Sequence, residues 1–195
     1  YLRSIDFPFV VVGRPDNPEE VLWVNNDNIS AMYNVVEKLI KKGHRKIGFV
    51  GAIENLNMSK DRFIGYKNAL FDNKISYDES IVVHKDEFIE NEGQSACNEL
   101  LQNKDITAIV TTDDLIAFGI MKELKLKNID NISIVGFNNT PLSAYQNPPL
   151  ATVDINAYEL GYSAAKLLIN NLEGKEHAKR HYIVDTEFIE RESFI

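Results

Sequence analysis

Side chains able to recognise a ligand collect in four stretches of this sequence. Gly51 to Arg62 ends in a guanidinium, His84 to Phe88 ends in an aromatic ring, Thr111-Thr112-Asp113-Asp114 carries paired carboxylates, and Gly136-Phe137-Asn138-Asn139 adds two carboxamides. Planar polar groups of these kinds make paired hydrogen bonds to neighbouring hydroxyls, and a ring stacks on the apolar face of a sugar. The set suits a neutral polyhydroxylated ligand, so carbohydrate is the expected class. Each residue also has a plain structural reading. Arg62 fits a solvated surface charge, although it lies near a helix start, where the dipole disfavours a cation. Phe88 fits a core position. Asp113 or Asp114 fits a helix N-cap, which leaves one carboxylate spare. Asn138-Asn139 before Pro141 fits a turn.

Other chemistry is not signalled. The sequence has no G-x-S-x-G elbow, no glycine-rich phosphate loop ending in Lys-Ser or Lys-Thr, and no H-E-x-x-H. His44 sits in a basic cluster, His84 ends a strand, and His177 and His181 fall in a polar loop, none with an evident nucleophile or metal partner. Cys97 is the single cysteine, so no internal disulfide or cysteine metal set forms, which fits a reducing cytoplasm. No catalytic residue, metal or cofactor is expected. A net charge of −8 opposes wrapping of nucleic acid by these residues alone. The one basic cluster, Lys41 to Lys46, falls where a helix ends and there complements its dipole. No apolar run of about 18 residues and no secretion signal is present, so a cytoplasmic chain without a membrane partner is expected. The opening Tyr1-Leu2-Arg3-Ser4 reads as the middle of a longer protein.

The elements that must position these residues alternate. Phe9 to Val12, Ile47 to Val50, Ile81 to Val83, Thr107 to Val110 and Ile132 to Val135 read as strands, with a last one over roughly 182–188. Between them, helices are predicted from Asp27 or Asn28 to Gly43, then over about 60–73, 91–102, 114–124 and 157–172. Met32, Val35, Val36, Leu39 and Ile40 give the first its apolar stripe. Such alternation predicts right-handed crossovers and a parallel sheet covered on both faces, an α/β class whose ligands bind beyond the carboxyl ends of the strands.

The ordered landmarks along nearly the whole chain resemble the effector domain of the lactose-repressor (LacI/GalR) family. They include Phe7-Pro8-Phe9-Val10-Val11-Val12, Lys41-Lys42-Gly43-His44-Arg45-Lys46-Ile47-Gly48-Phe49-Val50-Gly51 and Ser59-Lys60-Asp61-Arg62-Phe63-Ile64-Gly65-Tyr66. Asp114-Leu115-Ile116-Ala117-Phe118-Gly119, Ile134-Val135-Gly136-Phe137-Asn138-Asn139 and Pro148-Pro149-Leu150-Ala151-Thr152-Val153 continue the series. The resemblance implies a periplasmic-binding-protein-like fold of two doubly wound parallel-sheet lobes with the effector held between them. A partial N-terminal lobe would comprise 1–26 and 156–180, and a C-terminal lobe 28–154 and 183–195, with the DNA-binding headpiece absent. Carried over residue by residue, Arg62 matches the family's effector-binding arginine and Phe88 an aromatic that packs on the ligand. Asp113 stands where many members have Asn, and Asn138 where many have Asp. Gly13 replaces an acidic contact of some members, and Arg14 beside it is the substitute.

What the resemblance implies about function is a sugar-responsive transcription repressor that acts as a homodimer on operator DNA through the missing headpiece. Similarity to the maltose-operon repressors of Gram-positive bacteria implies maltose or a related saccharide as effector. Two alternatives remain at this stage: a sugar-binding receptor of a transport system, and a catabolite regulator controlled by a phosphocarrier protein.

Overall fold

The computed structural model describes residues 1–103, 105–175 and 179–195. The chain forms two compact units, residues 1–27 with 155–186, and residues 28–154 with 187–195.

The larger unit is a six-stranded sheet in the order β4-β3-β5-β6-β7-β9. Its strands are β3 Ile47–Ala52, β4 Val82–Lys85, β5 Ala108–Thr111, β6 Ser133–Asn138, β7 Ala151–Asp154 and β9 Glu187–Ile189. All pair in parallel except β9, which runs antiparallel to β7. Four helices cover the sheet: α1 Asn28–Lys42, α2 Asn57–Asp72, α3 Glu90–Leu100 and α4 Asp114–Leu126. From β3 the chain steps one way to the edge strand β4, then returns past β3 to β5, β6 and β7. Right-handed crossovers therefore place α2 on one face and α3 and α4 on the other. α1 packs on α2, and α3 on α4. Covered on both sides, β3 is buried at every residue, which is why it reads as a continuous apolar run rather than an alternating one.

Each helix pair meets through glycine. A Cβ on Gly65 would lie 2.3 Å from the Ile29 carbonyl oxygen, one on Gly93 2.1 Å from that of Ile116, and one on Gly119 2.0 Å from that of Glu90. The apolar stripe of α1 is buried, and the helix ends at Gly43, whose φ of +109° turns the chain so that the Gly43 and His44 amides close on the Ile40 and Leu39 carbonyls. The basic cluster completes that end. Arg45 Nη1 donates to the Ile40 carbonyl, Lys42 Nζ to that of Phe194, and Lys46 pairs with Asp78 at 2.9 Å.

The smaller unit pairs β1 Val10–Val12, β2 Leu22–Asn26 and β8 His181–Val184 in parallel, in the order β1-β2-β8. Helix α5, Ala157–Leu172, packs on this sheet over a core of Leu22, Val24, Leu160, Leu167 and Val184. Trp23 stacks on His181 with ring centroids 4.5 Å apart.

Several expectations are corrected. β2 and β7 are strands that the apolar pattern does not announce: β2 carries the buried polar pair Asn25-Asn26, and β7 is only four residues long. The single last strand expected at 182–188 is two, β8 and β9, one in each unit. Residues 183 and 184 thus pair with β2 instead of joining the larger unit, and the sheet is not wholly parallel. His181 opens β8 rather than lying in a loop, while His177 falls outside the described residues. Among the described residues no helix is long and apolar enough to cross a membrane, and no group of three His, Cys, Asp or Glu is placed to hold a metal ion.

The glycine contacts lead to a stability prediction. Gly119→Ala forces α3 and α4 apart and should cost about 2–3 kcal/mol despite the better helix propensity of alanine. Gly161→Ala, where a Cβ meets nothing within 4 Å, should be neutral or stabilising by up to ~1 kcal/mol. Urea denaturation of the two variants checks both, and a Gly119→Ala midpoint at or above that of the parent would refute the packing argument.

Candidate functional site

The chain order reverses between β3 and β5, and a parallel sheet offers its ligand crevice at the carboxyl ends of the strands flanking such a point. Arg62 of α2 reaches this edge. Its side chain is 3% exposed, far from the solvated charge that was the plain alternative. Nε donates to Asn28 Oδ1 at 2.8 Å and Nη1 to the Thr112 carbonyl at 2.6 Å, and the guanidinium carbon lies 3.5 Å from the Phe137 ring centroid. Planar stacking and two bonds hold the group rigid. Nη2 is the nitrogen left without a bond among the described residues. Burial pulls the Arg62 pKa down to about 9, opposed by the charges of Asp113, Asp114 and Asp61, so the group stays cationic at neutral pH.

The two adjacent aspartates do different work. Asp113 is the N-cap of α4: one carboxylate oxygen accepts from the Leu115 amide at 2.7 Å, and the other accepts from Asn138 Nδ2 at 2.7 Å. Burial raises its pKa to about 6, with the Asp114 charge adding to the rise while the Leu115 amide, Arg62 and Asn138 oppose it. Asp114 is fully buried. It accepts from Thr152 Oγ1 at 2.6 Å, the Thr140 amide at 2.7 Å, Ser143 Oγ at 2.8 Å and Thr140 Oγ1 at 3.1 Å. The pair therefore holds no spare carboxylate. The capping residue is the one that stays partly accessible, and its neighbour is consumed inside the protein.

Asn138 and Asn139 both adopt positive φ, +105° and +50°. Asn139 is a structural turn residue, since its amide donates to Asp154 Oδ2 and its oxygen accepts from Arg191 Nη2, each at 2.8 Å. Arg62, Asp113 and Asn138 are thus brought together. Phe88 lies in the turn after β4, partly buried, with part of its surface packed against the apolar cluster that includes Ile116 and Phe118. Arg14 follows β1 in the smaller unit. Asn28, expected only at a helix start, and Phe137, expected in the loop after the strand that ends at Val135 but found within β6, emerge as the groups that orient Arg62. The period-two alternation of β6 puts Phe137 on the α2 face, but nothing local in the sequence pairs Asn28 with a residue 34 positions on.

Replacing the buried carboxylate tests this construction. In Asp114→Asn one acceptor oxygen becomes a donor facing groups that themselves donate, at a cost of about 2 kcal/mol. The amide of Thr140 should then exchange its hydrogen faster. Unchanged protection at Thr140 would show that the loop is held by something else.

Comparison with known proteins agrees with this architecture. The periplasmic binding protein-like domain family matches residues 36–194. The chain is 31% identical over 196 residues to the HTH-type transcriptional regulator MalR of Staphylococcus xylosus, covering 98% of this chain and 57% of that protein. It superposes with a TM-score of 0.92 on a LacI transcriptional regulator of Bacillus cereus subsp. cytotoxis, 38% identical, covering 99% of this chain and 70% of that one. The CelR regulator in complex with cellobiose superposes with a TM-score of 0.93 at 27% identity, covering 98% and 60%. The chain spans little more than half the length of the curated relatives it matches. By these matches and by the fold, the chain belongs to the lactose-repressor family and carries its periplasmic-binding-protein-like domain.

Proposed function

We propose that this chain is the effector-sensing part of a sugar-responsive transcription repressor, and that a saccharide such as maltose binds at Arg62, Asp113 and Asn138. The observation that carries this reading is the immobilised guanidinium of Arg62, with Nη2 left over, the charge of Asp113 acting on it, and Asn138 bonded to Asp113. A hydroxyl both accepts and donates, so neighbouring hydroxyls of a sugar can take a bond from Nη2 and give one to Asp113. The CelR relative is described with cellobiose, which supports a saccharide over other polyols. Phe88 and Arg14 remain proposed contacts, from the family pattern. Sugar binding shifts a two-state equilibrium and so changes affinity for operator DNA. With a net charge of −8, these residues leave the DNA contact to another part of the protein. A homodimer, as the family pattern implies, would present two copies of this unit to a two-fold symmetric operator.

Thermal melting of the full-length protein against a panel of mono- and disaccharides tests the reading. At about 100 times Kd a bound sugar adds roughly 2.7 kcal/mol, a rise on the order of 5 °C. Arg62→Ala and Phe88→Ala, each compared with its own unliganded melting point, should lose the rise; no rise with any sugar would exclude a saccharide.

Affinity should also depend on pH with a defined sign. A sugar hydroxyl donates to ionised Asp113, whose pKa in the free site is about 6. Protonation removes that acceptor, so affinity holds above pH 6 and falls by up to about tenfold per unit below it. The groups facing Asp113 are Arg62, which stays cationic, Asp114, Asn138 and the Leu115 amide. Affinity that is flat from pH 7.5 to 5 would remove Asp113 from the site.

A further inference from the structure

The carboxyl edge of a parallel sheet is ordinarily a good place for an anion, because helix N-termini point their amides at it. In the larger unit two of those ends, of α3 and α4, carry the chain's own acids. Asp113 caps α4 and Asp114 is its first residue; α3 opens with Glu90 and Glu92 in its first turn. α2 has no acid in its first turn, but Asp61 follows, buried, next to Arg62. Arg62 is the cation at the centre of this group. Nε and Nη1 are engaged, one face is covered by Phe137, and the charges of Asp113, Asp114 and Asp61 all act on it. Lys85, at the end of β4, is drawn away into pairs with Glu92 and Glu99 of α3.

We propose that Asp113 makes this site select an uncharged saccharide over the phosphorylated form of the same sugar. The inference rests on the saccharide reading above and goes further, because it assigns the rejection of charge to one residue. A hydroxyl near Nη2 can donate to Asp113. A phosphate in the same place meets one half-engaged guanidinium and a carboxylate held at fixed distance by the Leu115 amide and Asn138. At about 5 Å and an effective dielectric constant of ~20, one pair of like charges weakens binding on the order of a hundredfold. Asp114 and Asp61 add to the repulsion but are buried, so Asp113 is the carboxylate that a ligand meets directly.

The test is titration calorimetry on the full-length protein at pH 7.5, with maltose against maltose 6′-phosphate and cellobiose against cellobiose 6′-phosphate. Wild type should bind the neutral member of a pair on the order of a hundredfold more tightly. Asp113→Asn and Asp113→Ser keep a capping residue on α4. Both variants should lose some affinity for the neutral sugar and narrow the ratio at least about tenfold through a gain for the phosphate. Equal binding of both members by wild type, or an unchanged ratio in both variants, overturns the proposal. If no sugar of either kind binds wild type, the saccharide reading itself fails, and inorganic phosphate decides the charge claim alone. Tighter phosphate binding by the variants than by wild type sustains it, and equal binding overturns it.

Discussion

The carboxyl edge of the larger sheet depends on one buried carboxylate. Asp114 stands at the start of α4 and gathers donors from three places: Thr152 on β7, Thr140 after β6, and Ser143 in the turn that follows. Removing a carboxylate from water costs several kcal/mol, and four donors at hydrogen-bonding distance offset that cost. Room for it exists because residue 136 is glycine; a Cβ there would lie 2.2 Å from Asp114 Oδ1. Gly136 and Asp114 therefore require each other. Their union holds the chain just beyond β6, where Asn138 and Asn139 take backbone conformations that side chains seldom adopt.

From that anchor the groups of the proposed site acquire their positions. Asp113 precedes Asp114 by one residue, so its cap on α4 and its bond to Asn138 are set by the same helix start. Arg62 is fixed independently, by Asn28, the Thr112 carbonyl and the Phe137 ring. The Thr112 carbonyl lies immediately before Asp113, so the two halves of the site share a short stretch of backbone. Identical neighbouring residues are thereby given different chemistry: the one encircled by donors is structural, while the one at the rim has a pKa raised to about 6 by burial and remains able to accept from a ligand.

That division of labour was not legible in the sequence, whereas most of the frame was. The apolar stripe of α1 and the hydrophobic runs of β3, β5 and β6 are local patterns, and they imply a parallel sheet with its polar loops on one edge. Arg62, Asp113 and Asn138 could be singled out because they leave the ends of those strands. Which aspartate stays partly accessible could not, because the donors to Asp114 lie 26, 29 and 38 residues away. The same limit hid Asn28 as the partner of Arg62 and Arg191 as the partner of Asn139. Short strands failed for another reason. β2 buries two asparagines, with Asn26 donating to the Ile155 and Val184 carbonyls, so a hydropathy pattern sees polar residues where tertiary bonds make them interior ones. Phe88 was also ambiguous, because a lone aromatic fits a core as well as a ligand, and its partial burial against the cluster beneath its loop leaves one part packed and another part accessible.

The proposed site is organised by the protein alone. The guanidinium is stacked and doubly bonded, the carboxylate is tied at both oxygens, and the helices behind them meet at glycines with no slack for a methyl group. Little ordering of side chains opposes ligand binding at such a site, which favours affinity. The same rigidity bears on the proposed switch. A ligand shifts a conformational equilibrium only by the difference in its affinity for the two states. Groups held equally firmly in both states supply binding without that difference. On the proposed reading, Arg62, Asp113 and Asn138 would set which ligand is accepted and how tightly, and the difference that moves the equilibrium would come from contacts made outside this rigid edge.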